Sequence, residues 1–142
     1  VKLIRELLSV VYSGLSDWLR RRAARPVALL LLWKAERRIE TRTLNHFGWA
    51  VNLALIEGGV FVFLAARSDP GARYGDLGAL LGSAVRLSGS ADPACPPRFS
   101  VTSAEGVTAW AWRRDGQGLG PGERRRVYSA LTGRSRRGSE LN

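Results

Sequence analysis

Apolar residues recur at helical spacing over the first two dozen positions. Leu3, Ile4, Leu7, Leu8, Val10, Val11, Leu15, Trp18 and Leu19 fill one arc of a 3.6-residue wheel, and Lys2, Arg5, Ser9, Ser13, Ser16 and Asp17 fill the opposite one. The pattern predicts an amphipathic helix over 1–25. The run RRRAAR from Arg20 to Arg25 sets cations at its carboxyl end, and Pro26 disfavours helical geometry at Arg25, so the helix is expected to stop there. From Leu32 the period changes to two: Lys34, Glu36, Arg38, Glu40 and Arg42 alternate with Trp33, Ala35, Ile39, Thr41 and Thr43, which predicts a strand over 36–44. Residues 27–35 stay open between helix and strand.

The stretch from Thr43 to Arg67 is long and apolar, but Asn52, Glu57 and the pair Gly58-Gly59 interrupt it near its middle, whereas a bilayer span needs about 20 continuous apolar residues. Trp49, Val51, Leu53 and Leu55 alternate with Ala50, Asn52 and Ala54, and VFVFLAA follows the glycines, so a hairpin is expected and integral membrane insertion is not. Strand and hairpin together occupy 36–67. Further on, Asp76 is placed to cap a short helix over 76–87, and FSVT and TAWAW alternate on either side of Glu105-Gly106 as a second hairpin within 98–114. Pro121, Glu123, Val127, Tyr128 and Leu131 mark a helix over 121–132 that Gly133 can end. Residues 134–142 lack apolar periodicity and are expected to be a mobile basic tail. The order implies one α+β domain over 1–133, a mostly antiparallel sheet of about five strands with helices packed on one face.

Charge changes the picture. Against 12 Asp plus Glu stand 22 Lys plus Arg, a formal charge of +10, which favours acidic partners. The cations cluster at Arg20–Arg25, at Arg113 and Arg114, at Arg124, Arg125 and Arg126, and at Arg134, Arg136 and Arg137, the last three groups downstream of Trp110 and Trp112. Arginine clusters of this kind neutralise phosphates or carboxylates, while an arginine-rich soluble surface produces the same count with no partner at all.

Candidate chemistry is sparse. His46, Glu57 and Cys95 stand in an order that a Cys, His and acid hydrolase can use, since a thiol needs a base and the base an orienting carboxylate. Yet no helix follows Cys95 to lower its pKa, and Glu57 is accounted for as a turn residue, so the triad is the minor reading. One cysteine builds neither an internal disulfide nor a thiolate zinc site, which fits a reducing, cytoplasmic setting. The first 19 residues show no secretory pattern. No metal or cofactor is expected, because the glycine stretches carry no nucleotide fingerprint; GQGLGPGERRR comes nearest to an anion-binding helix start.

TLNHFGWAVNLAL, with Thr43, Leu44, Gly48, Trp49, Val51, Leu53 and Leu55 in place, is similar to the T-L-x-x-x-G-W-x-V-x-[IL]-x-L pattern of bacterial immunity protein family fifty-three, associated with polymorphic toxin systems. The family usually reads Asp-Asn-Pro where this chain has Asn45, His46 and Phe47. The resemblance implies a small cytoplasmic binding protein that neutralises a toxin by occlusion, without catalytic residues. In it Gly48 and Trp49 are a turn and an inward anchor, beside the turn glycines Gly58 and Gly59.

The chain therefore reads as a non-enzymatic protein-binding module for an acidic partner. The alternative is a nucleic-acid-binding or ribonucleoprotein component, and peripheral membrane contact through residues 1–25 is a third option.

Overall fold

A computed structural model describes residues 2–39, 43–90 and 97–141, with the side chains of that set other than 9–14 and 134–141. Helix α1 (Lys2–Glu36) leads into strands β1 (Leu44–His46), β2 (Trp49–Ile56) and β3 (Val60–Arg67), helix α2 (Tyr74–Leu87), strands β4 (Phe99–Thr102) and β5 (Thr108–Arg113), and helix α3 (Pro121–Leu141). The five strands form one antiparallel sheet in the order β1-β2-β3-β5-β4, an α+β fold.

The hairpin β2–β3 turns at Glu57, Gly58 and Gly59, with φ of 89° and 76° at the two glycines, so the period-two alternation decides this segment. Odd positions Trp49, Val51, Leu53, Phe61, Phe63 and Ala65 join Trp112 on one face and pack against Ala28, Leu31, Leu32 and Ala35 of α1 and Leu77, Leu80, Leu81, Ala84 and Val85 of α2. Even positions Val60, Val62 and Leu64 join Ala109 and Ala111 on the other face, against Val127 and Leu131 of α3. The helices thus cover both faces rather than one, because β3 and β5, central in the sheet, are apolar on both sides and each side needs a cover.

Three boundaries differ from the sequence expectation. The first helix does not stop at Arg25: it continues through Pro26 to Glu36, and only β1, over 44–46, remains of the strand expected at 36–44. Residues 40–42 of that stretch lie outside the described residues. Proline costs a helix interior about 3 kcal/mol. Here it sits exposed, while Ala24, Ala28, Leu31, Leu32 and Ala35 on the opposite side are all buried, and that burial more than offsets it. The expected tail is also helical, α3 running on to Leu141, with Asn142 outside the described residues. Asp76 lies within the first turn of α2 and not at its cap, which falls to Arg73.

Candidate functional site

Arg113 ends β5, and the glycine-rich segment 116–120 carries the chain to α3. Its guanidinium lies between Asp115 (2.7 Å) and Glu123 (3.5 Å), while Glu123 Oε1 accepts the Gly120 N–H at 2.9 Å and Asp115 Oδ1 accepts the Gln117 N–H at 3.0 Å. These bonds tie both ends of the loop. Beneath it opens a cavity of about 300 Å³ lined by Arg98, Phe99, Arg113, Gln117, Leu119 and Arg124 among others. Arg124 sits 5.7 Å from the Phe99 ring centre, and Tyr128, half exposed at 52%, meets Phe99 edge-on. Arg98 and Arg124 both line the cavity, and neither enters an ion pair among the described residues.

The arginine clusters read from the sequence therefore divide. Arg113 and Arg124 come together at the cavity. Arg114 turns to the other side of the sheet, where it pairs with Glu36, donates to the Ser88 carbonyl at 2.8 Å and stacks over Phe61. Arg126 donates to the Glu57 carbonyl at 3.0 Å and ties α3 to the β2–β3 turn. Arg125 is exposed on α3. Arg134, Arg136 and Arg137 belong to the second half of α3, and their side chains lie outside the described ones. Arg98 had no cluster to draw attention to it. Only the pairing of Phe99 with Ala111, which sets position 98 across from Trp112, brings it to the cavity that Arg113 also lines.

His46 lies elsewhere, where β1 meets β2 through Phe47 and Gly48. Gly48 has φ 88°, and a Cβ there would come within 2.9 Å of the Ala72 Cβ, so the turn admits no side chain without movement. Its carbonyl accepts the Ser68 N–H at 2.8 Å, and the neighbouring Trp49 is buried with its indole N–H donating to the Arg73 carbonyl at 2.8 Å. His46 is buried behind this turn, its Nε2 without a hydrogen-bond partner among the described residues, near the buried Asp76, whose Oδ2 also lacks one among them and lies 3.8 Å from Arg20. Burial lowers the His46 pKa from its ordinary value, and the Asp76 charge opposes that shift. Glu57 is at the far end of β2, about 26 Å away for eight strand residues, so it cannot orient His46. Cys95 lies outside the described residues. Among the described residues no three His, Cys, Asp or Glu side chains group as metal ligands.

A second surface stands out on α1. Ile4, Leu8, Leu15, Trp18, Leu19, Leu29, Leu30 and Trp33 are each at least 43% exposed, an extent of apolar surface that monomeric proteins rarely leave open. Among the described residues no helix is long and apolar enough to cross a membrane. Compared with protein-family models, with curated proteins and with solved structures, the chain finds no match.

Proposed function

We propose that the chain is a non-enzymatic protein-binding module of the immunity type, holding an acidic surface of another protein against the cavity between β5 and α3. The observation that carries this reading is the convergence of Arg98 and Arg124, both without ion-pair partners among the described residues, on a pocket walled by Phe99, against which Tyr128 packs edge-on. Arginine and tyrosine around a pocket are the side chains that dominate interface energies. A partner carboxylate entering there would accept charge-assisted, bidentate bonds from a guanidinium, and a net charge of +10 would speed its approach. The likeness of Thr43–Leu55 to the immunity family supports occlusion as the mode of action, with Gly48 and Trp49 as structural residues. The reading sets the protein in the cytoplasm, in keeping with a chain whose single cysteine builds no internal disulfide.

The direct test is calorimetry against the product of the adjacent gene. Binding should weaken as salt rises, and the double variant Arg98→Ala with Arg124→Ala should lose at least about tenfold in affinity at an unchanged melting temperature. Full affinity in that variant would remove the cavity from the interface. The same guanidinium and aromatic groups also suit phosphates and stacked bases, which keeps nucleic acid as the second reading. Binding of a single-stranded oligonucleotide with a steep logarithmic salt dependence would favour it, and no binding at physiological salt would end it.

A further inference from the structure

α1 has two apolar faces. On a wheel of 100° per residue, Ala24, Ala28, Leu31, Leu32 and Ala35 occupy an arc of roughly 100° that is buried on the sheet and α2. Ile4, Leu8, Leu15, Trp18, Leu19, Leu29, Leu30 and Trp33 occupy an arc of roughly 120° on the outward side, all exposed, and in the first two turns Leu3 and Leu7, also exposed, widen it as far as the side that is buried further along the helix. This outward stripe runs from Ile4 to Trp33, about 43 Å along the axis. No segment of the described chain covers it. The buried arc holds residues 24–35 to the domain, and the stripe adds no buried side chain to that contact.

We propose that the stripe is a membrane-interface face, and that α1 lies flat on an anionic phospholipid bilayer with this arc among the acyl chains and its arginines on the headgroups. Three observations select that occupant. First, exposed cations outnumber acids along the helix and the turn after it: Lys2, Arg5, Arg21, Arg22, Arg25, Arg37 and Arg38 stand against Glu6, Asp17 and Glu36, and Asp17 and Glu36 are already paired with Arg73 and Arg114. Basic residues beside an anionic leaflet each add to adsorption. Second, both tryptophans of the stripe carry a guanidinium on the ring, Arg22 at 4.7 Å from Trp18 and Arg37 at 4.6 Å from Trp33. That pairing joins a ring that prefers the headgroup boundary to a cation that bonds phosphate. Third, the stripe is a long convex ridge, which suits a flat surface, while a second copy would bring another chain of charge +10 against it. The inference stands independently of the protein partner, since α3 and its arginine-lined cavity lie across the sheet from α1.

The test is co-sedimentation of the full chain with vesicles of phosphatidylcholine alone and of phosphatidylcholine with roughly a third phosphatidylglycerol. Binding is expected to the second and not the first, weakening as salt rises. The charge-neutral double variant Leu8→Gln with Leu15→Gln should bind at least about tenfold more weakly while its circular dichroism and melting temperature stay those of the parent, because both side chains are exposed. The double variant Arg98→Ala with Arg124→Ala, at the cavity, should keep most of its vesicle binding, which separates a failure here from a failure of the protein-binding reading. No binding to anionic vesicles at low salt, equal binding by the Leu8 and Leu15 variant, or a dimer that the same variant dissociates would each overturn the proposal.

Discussion

On one face of the sheet Trp49, Phe61, Phe63 and Trp112 meet the leucine and alanine rows of two helices; on the other, Val60, Val62, Ala109 and Ala111 meet Val127 and Leu131 of one. The first face is built of large rings, with Phe61 and Trp112 stacked across neighbouring strands at 5.7 Å. It also satisfies its polar edges, as where the Trp112 indole N–H donates to Ser88 Oγ at 2.9 Å. The second face uses small side chains, and α3 is retained there by two buried anchors and by the polar ties of Arg126 and Glu123. The difference separates a heavily packed layer from a lightly packed one. The cavity with Arg98, Arg113 and Arg124 lies at the edge of the lighter layer, and elements of low local stability are where binding surfaces commonly sit.

Phe63→Ala is the hardest blow to this contrast. The ring is fully buried in the heavier face, and its removal should cost about 3–5 kcal/mol, read as a lowered urea midpoint at unchanged slope. A loss below about 1.5 kcal/mol would mean that the face is loosely packed and the contrast misplaced. Leu131→Ala tests the lighter face. Its cost should fall near the lower end for a buried leucine, about 2 kcal/mol, and amide protection should drop in α3 while β2 and β3 keep theirs. Equal loss of protection throughout the sheet would show that α3 belongs to the same cooperative unit.

What the sequence made legible follows the same division. The β2–β3 and β4–β5 hairpins were readable because turn glycines and strict alternation agree locally, and both turns fall where expected, with Gly106 at φ 86° in the second. The second half of α1 was not. Local rules, a proline and alternating charges after Leu32, pointed to a break and a strand, but the row of Ala28, Leu31, Leu32 and Ala35 finds its partners only in β2, β3 and α2, out of reach of any local rule. Covering both sheet faces was hidden for a related reason: Val60, Val62 and Leu64 within VFVFL read as part of a continuous apolar run, which does not say how many layers it meets. At the cavity, Arg113 and Arg124 were visible as cluster members, while Arg98 becomes a neighbour only through strand pairing.

The smallest effect concerns the polar gap in the rim of the heavier face, where His46 of β1 lies buried near Asp76 of α2 and Arg20 of α1 is the other charge facing that carboxylate. Because burial holds the His46 pKa below its unfolded value of about 6.5, the unfolded chain takes up the proton first as pH falls. The stability due to neutral His46 is therefore complete above about pH 6.5 and is lost as pH falls through the lower folded value. One proton limits the slope to about 1.4 kcal/mol per pH unit. Since His46 is the only histidine, urea midpoints measured between about pH 7.5 and 5 isolate it. His46→Gln should flatten the slope in that window. Asp76→Asn should extend the slope to lower pH, because it removes the one attraction that favours the imidazolium while leaving the burial in place. Parallel slopes in the parent and His46→Gln would show that the gap admits water freely enough to solvate the charged ring, and that this rim is no part of the closed core beside it.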